Sequence, residues 1–223
     1  NSSLSGLNNV YSFMFREKIS NKLTLHATYV SSQKFELGSN NTQTLSTYSL
    51  TNQYGGDEEQ IDLGAMNLEK TEITVPKFQT FGVGLGVDTK WFLGAEYKLV
   101  EGGGLNNKLF DLDNVEFKKG SKFSLGGFYI PKYDSFTSFF SRLVYRGGFR
   151  VEDSGLHIDN QSIKEVGFNF GFGIPFQGFS SINLEFEIGK RGTTNAGLIQ
   201  ENFFSVRLGM SLSDLWFVKN KYN

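Results

Sequence analysis

The sequence contains no cysteine, which excludes disulfides, a thiolate nucleophile and a cysteine-ligated metal site. It contains no apolar run of about 18 residues, so membrane-spanning helices are excluded as well. The formal net charge of -1 gives no electrostatic attraction for nucleic acid, which is not expected as a partner. A membrane role for such a chain requires strands rather than helices.

Aromatic residues and a two-residue alternation are what the chain has instead. Phenylalanine numbers 23, and aromatic residues make up 15% of the sequence. In residues 204–212 the even positions are apolar and the odd positions are Ser, Arg or Gly, and the same alternation recurs in 165–174 and 182–189. Strands of this kind have one apolar and one polar face, and several in succession predict a barrel with lipid outside and a wet lumen. The mean hydropathy of -0.28 fits, because each lipid-facing residue is averaged against a lumen-facing neighbour.

These segments predict a single all-β domain over residues 1–223, an antiparallel transmembrane β-barrel of the bacterial outer membrane. About eleven strands are predicted, at residues 9–19, 22–36, 43–53, 60–69, 72–87, 91–101, 120–130, 140–152, 162–175, 181–190 and 202–213. The short turn at 88–90 is placed on the periplasmic side, and the longer polar connections 102–119, 153–161 and 192–201 are placed outside. An odd count would leave the N-terminus outside, so either one of the weaker strands is misread or, as we favour, the upstream part of the barrel precedes this sequence.

Several stretches, taken in order, resemble one family. They are Glu72–Pro76, Phe81–Leu85, Asp88–Lys90, Trp91–Tyr97, Phe123–Tyr129, Leu143–Arg150, Ile182–Gly189 and Phe203–Leu212. Together they resemble the FadL/OmpP1/TodX family of outer-membrane long-chain fatty acid and hydrocarbon transporters. The resemblance implies a barrel of about fourteen strands with an internal N-terminal hatch, and passive uptake of a hydrophobic small molecule such as a long-chain fatty acid. The hatch motif and the lateral opening of that family have no counterpart here.

Charged residues on the predicted inward face are the candidate ligand-binding site. Arg142, Arg146 and Arg150 lie on strand 140–152, Glu185 and Glu187 on strand 181–190, and Arg207 on the last strand. In one interpretation an arginine receives the carboxylate of an amphipathic ligand, because a guanidinium matches a carboxylate in a bidentate way. In the other, the arginines and glutamates pair with one another and rigidify the lumen.

Enzymatic and metal chemistry have little support in the sequence. The two histidines are His26, predicted inward on a strand, and His157, which Ser154 and Asp159 flank in a loop. Neighbours within one loop rarely form a catalytic triad, so no catalytic residue is predicted. The acidic stretch 55–59 with Asp62 is interpreted as a solvated loop and not as a metal site.

Uptake of a hydrophobic molecule by diffusion needs no cofactor, and none is predicted. The expected partners are outer-membrane lipid and the hydrophobic ligand. The main alternative is a non-enzymatic barrel of the same fold that serves as a subunit of a larger outer-membrane assembly. In that role its lumen is plugged, its loops or lipid face dock other outer-membrane or periplasmic proteins, and the basic tail 218–223 is a further contact. A third alternative is an open diffusion porin.

Overall fold

The computed structural model describes residues 1–20, 22–46, 58–102, 114–175 and 181–211. The described strands are β1 (Ser2–Ser5), β2 (Val10–Lys18), β3 (Thr24–Ser32), β4 (Phe35–Asn41), β5 (Gln43–Ser46), β6 (Glu58–Ile61), β7 (Lys70–Val75), β8 (Phe78–Val87), β9 (Trp91–Val100), β10 (Val115–Phe117), β11 (Gly120–Tyr129), β12 (Val144–Ile158), β13 (Gln161–Pro175), β14 (Ser181–Gly192) and β15 (Gln200–Ser211). A single helical turn, α1 (Phe139–Arg142), precedes β12. Within the described ranges, no helix is both long enough and apolar enough to cross a membrane.

One large antiparallel sheet, the main sheet, contains most of these strands. Its order is β2-β3-β8-β9-β11-β12-β13-β14-β15, with β10 added beside β12. The predicted antiparallel all-β architecture is therefore present. The predicted closed barrel is not present, since no sheet formed by the described residues closes into a barrel. The two edges of the main sheet are β2 and β15.

Two smaller sheets, β1-β4-β7 and β5-β6, extend the N-terminal strands. The sequence predicted single strands over 22–36 and 72–87, but each is interrupted, after Ser32 and at Pro76. Proline has no backbone N–H to donate to a ladder, which explains the second break. The strand predicted at 60–69 is also wrong beyond Ile61, because Asp62 accepts the backbone N–H of Gly64 at 2.9 Å and starts a turn. Of the strand predicted at 43–53, only Gln43–Ser46 lies within the described residues.

Cross-strand register gives the main sheet an apolar face and a polar face. On the apolar face, Phe170 lies beside Phe186 with ring centroids 5.1 Å apart, and Phe186 stacks on Phe204 at 6.3 Å. Leu184 and Leu208 face each other one row below. No other part of the described structure packs against these side chains, and Leu208 for example is 74% exposed.

Aromatic residues with a polar group mark one end of the apolar face. Trp91, Tyr129 and Tyr145 are direct cross-strand neighbours on β9, β11 and β12. Their row lies at the end of the sheet where the short turn of residues 88–90 joins β8 to β9. Trp and Tyr are enriched at this position in membrane proteins, where their polar groups reach the headgroup region.

The opposite end of the hairpin β12–β13 differs from the prediction of a polar loop at 153–161. Strand β12 continues to Ile158, and a two-residue turn follows at Asp159 and Asn160, with φ of 48° and 62°. Two positive φ values define a type I′ hairpin turn, which Asp and Asn tolerate. We call residues 153–164 the projecting hairpin. Residues 103–113 of the connection predicted at 102–119 lie outside the described residues, and 192–201 is shortened by strands at both ends.

Candidate functional site

The polar face of the main sheet lines a cavity of about 600 Å³ that extends from β3 to β14. Small residues make this face deep enough for the larger side chains that cross it. A Cβ on Gly84 would lie 2.3 Å from Cζ of Phe92, and one on Gly94 would lie 2.9 Å from its Cε1. The glycines therefore seat the Phe92 ring in the wall. Glycines alternate at positions 82, 84 and 86 of β8, and Phe92 occupies the space that a side chain at Gly84 or Gly86 would need.

Charged residues of four consecutive strands meet on this face at the end nearer the projecting hairpin, which we call the upper end of the sheet. Nε of Arg150 on β12 donates to Oε1 of Glu187 on β14 at 2.9 Å, and its Nη2 pairs with Glu165 on β13. Arg207 on β15 approaches the other oxygen of Glu187 at 2.8 Å. Arg191 on β14 pairs with Glu165 from the other side. We call these five residues the Arg–Glu ladder.

Burial explains why both carboxylates of the ladder are paired with arginines. Glu165 is 7% exposed and Glu187 only 4%, and a buried carboxylate without a partner is strongly destabilising. Gly167 lies under the pair, since a Cβ there would come within 2.9 Å of Nε of Arg150 and 3.1 Å of Oε1 of Glu187. The sheet is thus shaped around the ion pairs.

Not all the residues predicted for the site share this cluster. Arg150, Arg207 and Glu187 are in it, and Glu185 borders it, receiving Nη1 of Arg207 at 3.4 Å and the Asn169 amide at 3.1 Å. Arg146 stands apart: its Nη1 donates to Oδ1 of Asn183 at 2.6 Å.

The prediction that Arg142 lies on the inward face of a strand is wrong. This residue lies in α1 and is exposed, because β12 begins only at Val144. Whether any of the six residues contacts a ligand stays a prediction.

The sequence missed two members of the ladder. Glu165 occupies an inward position of its alternating strand, so its alternation alone could have pointed to it. Arg191 lay one residue beyond the predicted end of strand 181–190, whereas β14 continues to Gly192. Their pairing depends on register between strands, which no single segment encodes.

Both histidines lie against neighbouring groups of the sheet. Nδ1 of His157 lies 3.2 Å from the carbonyl oxygen of Gly155, while Ser154 donates to the carbonyl of Ile163 at 2.8 Å. His26 meets the Phe92 ring edge-on at 5.6 Å. Of the acidic stretch 55–59, only Glu58 and Glu59 lie among the described residues.

Fold and site together define a protein of large antiparallel sheets, the main one with an exposed apolar face and a charge-lined opposite face. Within that class, the family model BamG matches residues 1–223, and the chain belongs to the BamG family. Comparisons with curated proteins and with solved structures gave no match. BamG is a component of the β-barrel assembly machinery and is associated with the outer membrane.

The family match overturns the resemblance to the FadL/OmpP1/TodX family and, with it, the expectation of fatty acid uptake. The physical reason is that strands exposed to lipid on one side share the same two-residue alternation whatever their function. The alternative interpretation, a subunit of a larger outer-membrane assembly, agrees better with the match.

Proposed function

We propose that this chain is a non-enzymatic, membrane-embedded subunit of the β-barrel assembly machinery, in contact with other proteins of that complex in the outer membrane. The observation that carries the proposal is the BamG match over the whole of residues 1–223. A structural role also fits the polar face, where most of the charged groups are occupied by one another.

The apolar face supports placement in the bilayer. A tilted strand needs about 9 to 11 residues to cross the hydrocarbon core. Strands β8, β9 and β11 each have 10, and β13 has 15. Their outward residues include Phe81, Leu93 and Phe168, which are 47%, 54% and 53% exposed. Lipid is the environment in which so many exposed apolar side chains are stable.

Among the described strands, β2 and β15 are the open edges of the main sheet. Open edges are incompatible with a lipid environment, because unpaired backbone groups are not tolerated in hydrocarbon. Each step from β2 to β15 reverses strand direction, and the number of steps is even, so the two edges run in the same direction. Joining them directly, or joining copies in a ring, would create a parallel pair. Antiparallel closure requires an odd number of strands beyond those of the described residues, and we propose that such strands complete a barrel with the main sheet.

Co-purification tests the assignment. The chain with an affinity tag is expressed at its native level, extracted from outer membranes in mild detergent and isolated, and its companions are quantified by mass spectrometry. We expect proteins of the β-barrel assembly machinery in a fixed ratio to the tagged chain. An unrelated tagged outer-membrane protein of similar abundance is the control. Recovery of the chain alone, or the same companions with the control, would contradict the proposal.

A further inference from the structure

Arg146 differs from Arg150, which lines the same cavity. Arg150 pairs with the carboxylates of Glu165 and Glu187, but the side chain of Arg146 is bonded only to the neutral amide of Asn183 among the described residues. A guanidinium has five N–H donors, so most of those of Arg146 remain available. Within the described part of the polar face, this group is a positive charge without an acidic partner.

The amide partner is itself held in place. Nδ2 of Asn183 donates to Oγ of Ser181 at 3.3 Å, which turns its Oδ1 toward Arg146. Gly173 lies beneath both groups: a Cβ there would lie 3.1 Å from Oδ1 of Asn183 and 3.2 Å from Nη2 of Arg146. The absence of a side chain at position 173 lets the guanidinium lie against the sheet. A positioned guanidinium loses less conformational entropy when it binds an anion.

An aromatic surface continues the row in which Arg146 lies. Phe128 is the direct cross-strand neighbour of Arg146, and Phe92 is the neighbour of Phe128 on the next strand. The two rings stack with centroids 6.1 Å apart and planes inclined by 20°. Phe92 and Arg146 both line the cavity of about 600 Å³. Apolar surface and one cation therefore lie side by side within reach of a single small molecule.

We propose that Arg146, with the Phe92–Phe128 stack, is a binding site for an organic anion that has one carboxylate or phosphate group and an apolar body. The anionic group accepts hydrogen bonds from the free N–H groups of Arg146, and the apolar body lies on the rings. Glu96 lines the same cavity, which favours a ligand with a single anionic group over a polyanion. The site holds its ligand within the subunit and involves no transport step.

Equilibrium dialysis of the full chain in a neutral detergent tests the site. The probes are 2-naphthoate and 2-naphthyl phosphate, with uncharged 2-naphthylmethanol as the matched ligand control, and naphthalene fluorescence measures the bound fraction. We expect saturable binding of both anions and at least about tenfold weaker binding of the alcohol. The tighter of the two anions distinguishes a free carboxylate from a lipid-type phosphate as the natural group. No saturable anion binding, or equal binding of the alcohol, would overturn the proposal.

Three variants separate Arg146 from general charge effects. Arg146→Gln is expected to weaken binding of the anions by about 10- to 100-fold, the range for a hydrogen bond to a charged group. Arg146→Lys should lie between Arg146→Gln and the unaltered protein. Lys98→Gln removes a cation that lies over the Phe78 ring, outside the cavity lining, and should bind as the unaltered protein does. Equal binding by Arg146→Gln, with unchanged circular dichroism, would remove Arg146 from the site. Co-purification with the assembly machinery does not depend on this site, so either proposal can fail alone.

Discussion

In strands β12 and β13, the side of the sheet that carries the apolar residues differs between the lower part, nearer the turn at 88–90, and the projecting hairpin. In the lower part, Phe149 and Phe168 pair on the outward side while Arg150 lies on the inward side. In the projecting hairpin, Leu156 and Ile163 line an inward apolar pocket of about 410 Å³. Ser162 on the outer side of the same hairpin bonds to Asp153 at 2.9 Å. One hairpin therefore has two opposite amphipathic patterns.

The opposite positions of the apolar residues indicate that the lower part and the projecting hairpin have different surroundings. A strand turns apolar side chains toward whichever side excludes water. On the proposed membrane placement, the lower part has hydrocarbon outside and the projecting hairpin has water outside. The change occurs near Glu165 and Arg191, whose ion pair lies just below the projecting hairpin. The upper boundary of the proposed lipid contact therefore lies where the outward residues change from apolar to polar, although the strands themselves continue beyond it.

The largest effect is expected from a charge on the lower apolar face. Leu208→Arg should destabilise the protein by about 2 to 4 kcal/mol, because it places a charge among the exposed outward apolar residues of β15, between Val206 and Met210. Ser205→Arg, on the inward side of the same strand and opposite Glu187, is the matched control and should cost much less. Urea titration of the protein folded into lipid vesicles measures both. Equal costs would mean that the outward face does not contact lipid.

The inward side of the lower part is tested through the Arg–Glu ladder. Arg150→Met should cost about 2 to 3 kcal/mol, because it removes a partner from both Glu165 and Glu187 while Arg191 and Arg207 still compensate. Arg16→Met is the control, since its ion pair with Asp88 is exposed on both sides and should contribute under about 1 kcal/mol. The same urea titration applies. A cost for Arg150→Met no larger than that for Arg16→Met would show that the ladder does not stabilise the sheet.

A substitution in the projecting hairpin checks the inverted polarity directly. Ile163→Ser should cost about 1 to 2 kcal/mol, since it removes half-buried apolar surface from the inward pocket. Lys164→Leu, its outward neighbour, should change stability by less than about 0.5 kcal/mol. Thermal unfolding of the two variants side by side decides between them. A larger loss for Lys164→Leu would place the apolar side of the projecting hairpin outside.

The smallest effect is expected at the turn of that hairpin. Asn160→Ala should cost about 0.5 to 1 kcal/mol, because Asn160 has a φ of 62° and alanine tolerates this conformation less well than asparagine. Asn160→Gly is the control and should be neutral or slightly stabilising. Hydrogen exchange at Ile158 and Gln161, the residues that flank the turn, reports the local loss. Equal protection in both variants would mean that the turn does not restrain the hairpin.

Alternation within one segment made much of the sheet predictable. Strands β11, β13, β14 and β15 lie within two residues of the predicted starts, because a two-residue period is written in the segment itself. The turn at 88–90 was also predictable and connects β8 to β9 at Val87 and Trp91. The type I′ turn at Asp159 and Asn160 was missed because the polar residues around it resembled a loop.

The remaining features depend on what strands do to one another. The Arg–Glu ladder requires register across four strands, and the seat of Phe92 requires glycines from β8 and β9. The family itself was misjudged from the same alternation, which any lipid-facing strand would show. Sequence predicted the faces, and the structure was needed to show which residues meet on them.

The Arg–Glu ladder has a consequence for the order of folding. Its contacts join residues far apart in the chain: Arg150 and Glu187 are separated by 37 positions, and Arg191 and Glu165 by 26. Glu165 is fully compensated only when β12, β13 and β14 are in register, and Glu187 only when β15 has joined them, so the intermediate stages gain little from forming any one pair. We expect the four strands to form in a single cooperative step and their amide protons to exchange together as one unit.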